Sequence, residues 1–396
     1  MKRILLVDMN SWIGHHCPYF LLYTKLLLEL NYQVDVLCLG EDEIKFSFPQ
    51  ELADKKLQIR QPKLFVFQKF FLKLIKLINQ LNLSFSIPSA ASLGLWWFVK
   101  NAAIEADSRN ETFVFLLDMQ GYWVDIPLFL QKYLLPQAWA GLYIWTPPKE
   151  KFLQECESHS LINHSSLKGL CLLNERLVFE LKIKFPAIAV HHFPDVSYLR
   201  CHTDEPSLVL ELDKVAGDRK IVFLASLTKK HGLIHFLRVA DLMSDSGILF
   251  FTMGLVRLDG YDADELDYIN ERLSKPPKNL LVWTDIYPPE ETLNALYRRA
   301  NVAFVCYPDF QHSSNKLTKA IGLETPVLVA DNTLLSERVK NYQLGYAVEP
   351  TNLLEMANAI NYLLYNFQFD ESLRQAFIDS HSEQRLKIKL AEIIQE

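Results

Sequence analysis

Short apolar runs alternate with longer amphipathic stretches along most of the chain. An apolar run from Arg3 to Val7 is followed by an amphipathic stretch from Pro18 to Leu30 and by a second apolar run from Gln33 to Leu39. Brief runs rich in β-branched and aromatic residues are typical of strands buried on both faces of a parallel sheet, and the longer stretches are typical of helices. The opening of the chain therefore predicts a strand, a helix and a second strand.

The alternation continues beyond a polar segment near the middle of the chain. This segment, Tyr198 to Lys220, separates two patterned halves. A chain of 396 residues is also too long for one ordinary core, so two domains are expected. We predict an α/β fold with two Rossmann-like domains facing each other across a cleft. The predicted divisions are a first domain at 1–205, a second domain at 206–375 and a helix at 376–396 that crosses back to the first domain.

Polar residues follow the predicted strands of the first half. A buried strand from Thr112 to Leu117 ends at Asp118, and the loop Asp8 to Cys17 follows the first strand. Ligands of open α/β sheets bind outside these carboxyl ends, so Asp118 is a candidate for catalysis or acceptor binding. Capping of its own turn is the alternative role. His15 and His16 are adjacent and would point apart, so we expect a hydrogen-bonding or inert surface role and no metal site.

Two loops of the second half combine positive charge with a predicted helix start. One follows a strand from Val302 to Cys306, and the other follows a strand from Lys220 to Ala225. Because free N–H groups at helix starts attract anions, the first loop predicts a site for a phosphate or another anion. The second loop predicts a diphosphate site, with a solvated turn as the alternative. The candidate residues are Ser226, Thr228, Lys229, Lys230, Ser313, Ser314, Asn315, Lys316 and Lys319.

Composition narrows the class of protein. The chain is 49% apolar and 22% charged, as ordinary globular proteins are, and its net charge of −6 argues against a general nucleic-acid binder. Its six cysteines stand singly in apolar runs, which indicates reduced thiols in a cytoplasmic protein. No apolar run approaches the roughly 20 residues that span a bilayer.

The stretch at 65–81 predicts a helix with an unusual surface. Lys69, Lys73 and Lys76 fall on one helical stripe, and apolar residues occupy a wide arc around the rest. Such a helix suits peripheral contact with an anionic membrane, at the inner surface for a cytoplasmic protein. The alternative is a helix packed on the sheet with its lysines in water.

Four segments resemble, in order, those of nucleotide-sugar glycosyltransferases with the GT-B architecture, most closely family four. The donor-binding segment is similar to residues from Leu296 to Asp331, which include SSNKLTKAIGLETPVLVAD. The phosphate loop is similar to IVFLASLTKKHG from Ile221 to Gly232, and the nucleobase-contacting loop to LLVWTDIYPPEE, which contains Tyr287. In the first half, Lys168 to Val196 resembles the segment that leads toward the hinge.

The resemblance implies a transferase that moves a sugar from a nucleotide sugar to a glycan, lipid-linked or small-molecule acceptor, as in polysaccharide biosynthesis. It also implies a retaining reaction without metal or other cofactor, in keeping with the lack of an Asp-x-Asp motif at a strand end. Tyr287 would contact the donor, and Gly14 and His15 would lie in the acceptor loop. Asp118 and Gln311 are the candidate catalytic residues.

The family has two glutamates eight positions apart in the donor segment, and this sequence lacks both. Gln311 and Lys319 occupy their positions, and a charged lysine cannot accept a hydrogen bond from a ribose hydroxyl. The family's histidine after the strand from Gly141 to Trp145 is also missing. A catalytically degenerate GT-B scaffold, which binds nucleotide, glycan or a protein partner without turnover, is therefore the alternative function.

Overall fold

The computed structural model describes residues 2–10, 16–80, 89–107, 112–162, 164–199, 205–286 and 288–395. The described chain forms two compact units. Unit 1 comprises Met1–Pro194 and Glu383–Glu396, and unit 2 comprises Asp195–Ser382.

Unit 1 is built on a parallel sheet of seven strands in the order β3-β2-β1-β4-β5-β6-β7. The strands are β1 (Arg3–Asp8), β2 (Gln33–Cys38), β3 (Leu57–Ile59), β4 (Phe113–Leu116), β5 (Ala138–Tyr143), β6 (Leu167–Leu172) and β7 (Val190–His192). The helices are α1 (His16–Glu29), α2 (Glu41–Ser47), α3 (Pro49–Ala53), α4 (Val66–Gln80), α5 (Ala90–Ala106), α6 (Leu128–Leu134), α7 (Lys149–Ser158), α8 (Glu175–Lys184) and, from the end of the chain, α17 (Glu383–Gln395).

The centre of this sheet is fully apolar, as the runs in the sequence predict. In β1 and β4 every residue from Ile4 to Val7 and from Phe113 to Leu116 is buried. The chain winds from β1 toward β3 on one side and from β4 toward β7 on the other, so its winding direction reverses between β1 and β4. The carboxyl ends of these two strands are therefore the place where a sheet of this kind binds ligands.

Unit 2 is built on a parallel sheet of six strands in the order β12-β10-β8-β13-β14-β15, with a separate pair formed by β9 and β11. The strands are β8 (Lys220–Leu224), β9 (Leu227–Thr228), β10 (Ile248–Gly254), β11 (Val256–Arg257), β12 (Leu280–Thr284), β13 (Val302–Val305), β14 (Val327–Ala330) and β15 (Gly345–Val348). The helices are α9 (Ser207–Ala216), α10 (Leu233–Leu242), α11 (Ala263–Ser274), α12 (Glu290–Arg299), α13 (Asn315–Gly322), α14 (Leu334–Tyr342), α15 (Leu353–Tyr365) and α16 (Glu371–Ser380).

The α/β fold with two Rossmann-like domains is confirmed, and the divisions between the units differ from the predicted ones. The boundary lies before Asp195 because residues 195–199 pack on the rest of unit 2. The Ser197 hydroxyl donates to the Asn315 carbonyl, and Leu199 lies against Gly322. At the other end, α16 packs on α13 and α14 of unit 2. Only α17 packs on unit 1, where the Lys25 ammonium pairs with Glu383 at 2.7 Å.

The five described cysteines are all free thiols, and four of them are buried. Burial raises the pKa of Cys17, Cys38, Cys156 and Cys306, as for Cys156 to about 12. These side chains behave as small apolar core residues, in keeping with their single positions in apolar runs.

Candidate functional site

The winding direction of the unit 2 sheet reverses between β8 and β13. Helix α10 follows β8 and helix α13 follows β13, so both begin at the same edge of the sheet. Neither helix has a side-chain hydrogen bond at its N-cap, which is Gly232 in α10 and Ser314 in α13. Two helix starts with uncapped N–H groups side by side form an electropositive edge that suits an anion.

Gly232 sets how closely the loop after β8 approaches β13. Its φ is +78°, and a Cβ at this position would lie 2.3 Å from the Cys306 carbonyl oxygen. Any other residue would be strained and would collide with backbone. The glycine therefore lets the loop from Ser226 to His231 lie directly against the end of β13.

Lys316 joins the two loops and carries the most perturbed ammonium of the site. Its Nζ donates to the Ala225 carbonyl at 2.9 Å and lies 5.8 Å from the centre of the Tyr307 ring. Burial and the charge of Lys230 lower the pKa of Lys316 to about 7, against a smaller opposing effect of Glu290. Two neighbouring ammonium groups at one sheet edge are the electrostatic signature of an anion site.

Ser226 and Thr228 converge on one ring nitrogen of His231. The two hydroxyl oxygens lie 2.9 Å and 2.6 Å from His231 Nδ1. The imidazole packs edge-on against Tyr307, with ring centres 4.8 Å apart. Burial, reinforced by the charges of Lys316 and Lys230, holds the pKa of His231 far below its ordinary value, so the ring is neutral.

Lys319 was a candidate for the diphosphate site, but its side chain is buried in the protein interior. Only 2% of its surface is exposed, and its ammonium pairs with Glu290. It also donates to Asn294 Oδ1 at 2.5 Å and to the Tyr198 carbonyl at 3.4 Å. These contacts tie α13 to α12 and to residues 195–199. Of the two lysines of α13, Lys316 is therefore the one at the anion edge.

Lys229 also has protein partners. Its Nζ donates to the Gly260 carbonyl at 2.6 Å and to Glu265 at 3.1 Å, and it lies 4.9 Å from the centre of the Tyr261 ring. Lys229 thus fastens the loop to the start of α11. Burial lowers the pKa values of Lys316, His231 and His312, and the charge of Lys230, the next residue, adds to each shift.

The remaining predicted residues of the donor segment lie along the loop into α13. Gln311 is exposed, and its Nε2 donates to the Asn332 carbonyl at 3.0 Å. The Ser313 hydroxyl accepts from the guanidinium of Arg338, a buried residue of α14, at 2.6 Å. Ser314 is at the N-cap position of α13 without a capping side-chain hydrogen bond, and Asn315 is the first residue of the helix. Tyr287, Gly14 and His15 lie outside the described residues.

Unit 1 has its own polar cluster at the place where its sheet reverses. Asp8 ends β1 and Asp118 follows β4, and Asn10 bridges them by donating from its backbone N–H to Asp8 at 3.0 Å and from its side chain to Asp118 at 2.9 Å. His16 Nδ1 lies 3.0 Å from Asp8, and the Gln120 N–H donates to Asp118 at 2.9 Å. The last bond is the turn-capping role that was the alternative for Asp118.

The electrostatics of this cluster are coupled. Burial raises the pKa of Asp118, and the negative charge of Asp8 adds to the rise. The hydrogen bond with Asp8 raises the pKa of His16. Two buried carboxylates beside an imidazole can accept hydrogen bonds from hydroxyl groups, which is the chemistry that an acceptor subsite needs. No group of metal-ligating side chains was found within the described ranges.

Comparison with known proteins identifies unit 2. Residues 209–380 match the family model described as Glycosyl transferases group 1, a range that contains the whole edge at β8 and β13. Unit 2 is a group 1 glycosyltransferase domain. No curated protein matches the chain.

Solved structures match the whole chain and share its GT-B fold. A structure from E. coli described as trehalose-6-phosphate bound with UDP-2-fluoro glucose has a TM-score of 0.68 at 11% identity, with 100% of this chain and 99% of that chain covered. Sucrose-phosphate synthase from Thermosynechococcus elongatus has a TM-score of 0.66 at 13% identity, with coverage of 100% and 98%. A glycosyltransferase from Rickettsia africae has a TM-score of 0.62 at 13% identity, with coverage of 99% and 97%.

Several residues of the group 1 domain that shape the site were not predicted from the sequence. Glu290 and Arg338 lie far in the chain from their partners. The contact of His231 with Ser226 and Thr228 depends on the backbone geometry of their loop. In unit 1, Asp8 could have been found, because it ends a strand beside the one that leads to Asp118. The alternation of apolar runs and polar residues places one carboxylate at the end of each of these two strands, Asp8 and Asp118.

The Glu290–Lys319 pair generates a stability prediction. Glu290→Ala leaves a buried ammonium without its carboxylate and should lower the free energy of unfolding of unit 2 by about 3 kcal/mol. Lys319→Met in the Glu290→Ala background should recover most of that loss, because both charges are then gone. Denaturant unfolding of the wild type, both single variants and the double variant measures the coupling. Additive effects of the two substitutions would show that the pair does not interact.

Proposed function

We propose that the protein transfers a sugar from a nucleotide-sugar donor to a glycan, lipid-linked or small-molecule acceptor. One observation carries the proposal: within a group 1 domain, two uncapped helix starts and the ammonium groups of Lys230 and Lys316 converge at one sheet edge. Burial and the charge of Lys230 lower the pKa of Lys316 there, and a bound diphosphate would offset both effects. The E. coli structure with UDP-2-fluoro glucose supports a nucleotide sugar as the ligand class.

The proposed mechanism assigns an electrostatic task to this edge. Cleavage of the bond between sugar and diphosphate places negative charge on the departing nucleoside diphosphate, and Lys316, Lys230 and the first-turn N–H groups of α13 would stabilise it. A retaining, metal-independent reaction, in which the donor phosphate accepts the proton of the acceptor, needs few acid–base groups from the protein. Gln311 and Asp118 stay our candidates near the transferred sugar and the acceptor.

The second candidate function is a scaffold that binds nucleotide, glycan or a protein partner without turnover. It is favoured by the interior position of Lys319, which stands where related transferases have a glutamate and is paired with Glu290. A scaffold that binds nucleotide would share the diphosphate site, and in every form of this candidate the donor is not consumed. A direct test of turnover therefore separates them.

A panel of nucleotide sugars tests the proposal. We expect hydrolysis or transfer of one donor, and we expect Lys316→Ala to weaken binding of the matching nucleoside diphosphate about tenfold or more, the size of one lost charge-assisted contact. Lys229→Ala is the matched control, because Lys229 pairs with Glu265 and should leave the affinity unchanged. Saturable binding without turnover would favour the scaffold. Unchanged affinity in Lys316→Ala would contradict the proposed anion site.

The lowered pKa of Lys316 predicts how affinity depends on pH. In the free protein this ammonium loses its proton above a pKa of about 7, and a bound anion favours the charged form. Binding above that pH must therefore take up a proton, and the affinity for a nucleoside diphosphate should fall by up to about tenfold per pH unit. Calorimetric titrations between about pH 7 and 9 measure this slope. Lys316→Arg stays charged and should flatten it, and an equal slope in that variant would assign the effect to another group.

We also propose that the protein is cytoplasmic and contacts the inner membrane surface through residues 65–81. Phe71, Leu72 and Ile75 of α4 pack inward near α5, whereas Phe67 and Phe70 are 70% and 66% exposed. The outward face also carries three exposed lysines, Lys69, Lys73 and Lys76. Exposed aromatic rings interleaved with lysines suit the interface of an anionic bilayer.

Two further observations support the membrane contact. Between Lys55 and Ile104 the sequence has eight lysines and arginines and no acidic residue, in a chain of net charge −6. Helix α6, which also packs on α5, exposes Leu128 and Phe129 by 83% and 67% beside Lys132. Within the described part of the chain, no helix is long and apolar enough to cross a bilayer. The proposed contact is accordingly with the surface of the membrane.

Co-sedimentation with vesicles tests this contact. At low salt we expect the protein to bind vesicles of phosphatidylcholine mixed with phosphatidylglycerol and to bind pure phosphatidylcholine much more weakly. The double variant Phe67→Ser, Phe70→Ser should lose most of the binding. Phe179→Ser, which changes an equally exposed phenylalanine on α8, is the matched control. Failure of the wild type to bind anionic vesicles at low salt would end the proposal.

A further inference from the structure

We propose that the acceptor is a glycolipid, which stays in the membrane by its apolar chain while a hydroxyl group of its neutral sugar reaches the cluster of Asp8 and Asp118. This inference rests on the proposed function and narrows its three acceptor classes to one. In the reaction the hydroxyl oxygen bonds to the anomeric carbon of the donor, the bond from that carbon to the diphosphate breaks, and the hydroxyl proton passes to the departing diphosphate.

The cluster itself favours a neutral group over a phosphate. Asp8 and Asp118 are both buried, and they end neighbouring parallel strands. A phosphate there would meet like charge in a poorly solvated place, whereas a sugar hydroxyl is uncharged and can donate to a carboxylate oxygen. The cluster therefore disfavours an acceptor whose phosphate group itself receives the sugar.

The hydroxyl of Tyr122 is a second observation that points to a polar ligand here. The Tyr122 side chain is 3% exposed, and among the described residues its hydroxyl has no hydrogen-bond partner. Burial raises the pKa of Tyr122, and the charges of Asp8 and Asp118 add to the rise, so the hydroxyl stays protonated. A buried hydroxyl without a partner costs stability. A sugar hydroxyl can accept from Tyr122 and donate to a carboxylate, so it matches this mixed set of groups.

The chain runs from the cluster into an exposed apolar surface. After β4 it passes Asp118 and the single turn Gln120–Tyr122 and then enters α6, so α6 begins on the side of the sheet that carries the cluster. The first two residues of α6, Leu128 and Phe129, are largely exposed. Large apolar side chains in water gain free energy when an apolar chain or a bilayer covers them. We therefore place the apolar chain of the acceptor beside these two side chains.

One turn of α5 joins the same loop to the proposed membrane surface of α4. On one side, the Trp96 ring N–H donates to the Tyr122 carbonyl at 3.1 Å. On the other side, Trp97 packs edge-on against Phe71 of α4, with ring centres 5.4 Å apart. The exposed ring of Phe70 is next to Phe71 in the chain. The loop after β4 and the exposed face of α4 are thus joined by a single helix, and a protein docked by that face would hold the cluster near the bilayer.

A series of alkyl glycosides in anionic vesicles tests the acceptor class. The probes are methyl, hexyl and octyl glycosides of glucose, galactose, mannose and N-acetylglucosamine, each offered with the donor that the wild type consumes. Each methylene group that enters the apolar phase contributes up to about fourfold, so we expect the apparent KM to fall about a hundredfold or more from methyl to octyl, with kcat nearly unchanged. Equal use of the methyl and octyl glycosides, or transfer to none of the alkyl glycosides, would overturn the inference.

Two variants test the parts assigned to the chain and to the sugar. The double variant Leu128→Ser, Phe129→Ser should lose most of the dependence of KM on chain length. Tyr122→Phe removes one hydroxyl and should raise the KM of every accepted glycoside about tenfold, whatever its chain length. Phe179→Ser, on α8, is the matched control for an exposed phenylalanine. Thermal unfolding shows whether each variant keeps its fold. An unchanged dependence on chain length in the double variant would contradict the place assigned to the apolar chain.

The outcomes separate this inference from the proposed function. Hydrolysis of a donor in the absence of any acceptor shows that the protein consumes it. If the wild type neither hydrolyses a donor nor transfers from it, the proposed function fails, and the inference fails with it. If a donor is consumed and a longer alkyl chain brings no gain, the proposed function stands and only the acceptor class is overturned.

Discussion

The partly buried ammonium of Lys316 at the start of α13, beside the charge of Lys230 in the loop after β8, is the constraint on which the site depends. Lys316 sits where burial and Lys230 both disfavour its charge, and its pKa is lowered to about 7 in consequence. A protein that keeps such an arrangement without an anion forgoes stability, since each lowered pKa unit reflects about 1.4 kcal/mol of unfavourable interaction. Two contacts keep the Lys316 ammonium in this position. Gly232 allows the close approach of the two loops, and the Ala225 carbonyl accepts a hydrogen bond from the Lys316 ammonium between them.

Sheet topology explains why this constraint lies where it does. In a parallel sheet the helix after each strand starts at the carboxyl edge, and only where the winding reverses do two such helices leave adjacent strands in opposite directions. Unit 2 reverses between β8 and β13, and unit 1 reverses between β1 and β4. The cationic residues of unit 2 and the carboxylates of unit 1 occupy these two places. Each unit thus presents a charged edge of opposite sign at its reversal point.

The sequence allowed the fold and much of the site to be predicted, because both depend on local patterns. Apolar runs located β1, β4, β8 and β13 to within a few residues, and a helix start was predicted in each of the loops that follow β8 and β13. Lys319 shows where local reasoning ends: its helix position suggested a ligand contact, yet its partner Glu290 comes from another helix and could not be read from spacing. The same holds for Lys229, whose partners lie at the start of α11.

The hydroxyl groups of Ser226 and Thr228, which both contact His231, illustrate a second limit of prediction from sequence. Ser226, Thr228 and His231 were visible as a polar loop, but the convergence of both hydroxyls on one ring nitrogen depends on backbone geometry that Gly232 makes accessible. Unit 1 behaves in the same way. Asp118 was visible at a strand end, whereas its bridge to Asp8 through Asn10 needed the register of β1 and β4.

A crystal structure with a bound nucleoside diphosphate tests the central claim most directly. We expect the two phosphates to lie against the start of α13, within hydrogen-bond distance of Lys316 Nζ and of the first-turn N–H groups, with Lys319 still paired to Glu290. Phosphates bound at another edge of unit 2, or a Lys316 ammonium that still contacts only the Ala225 carbonyl while the nucleotide is bound elsewhere, would contradict it.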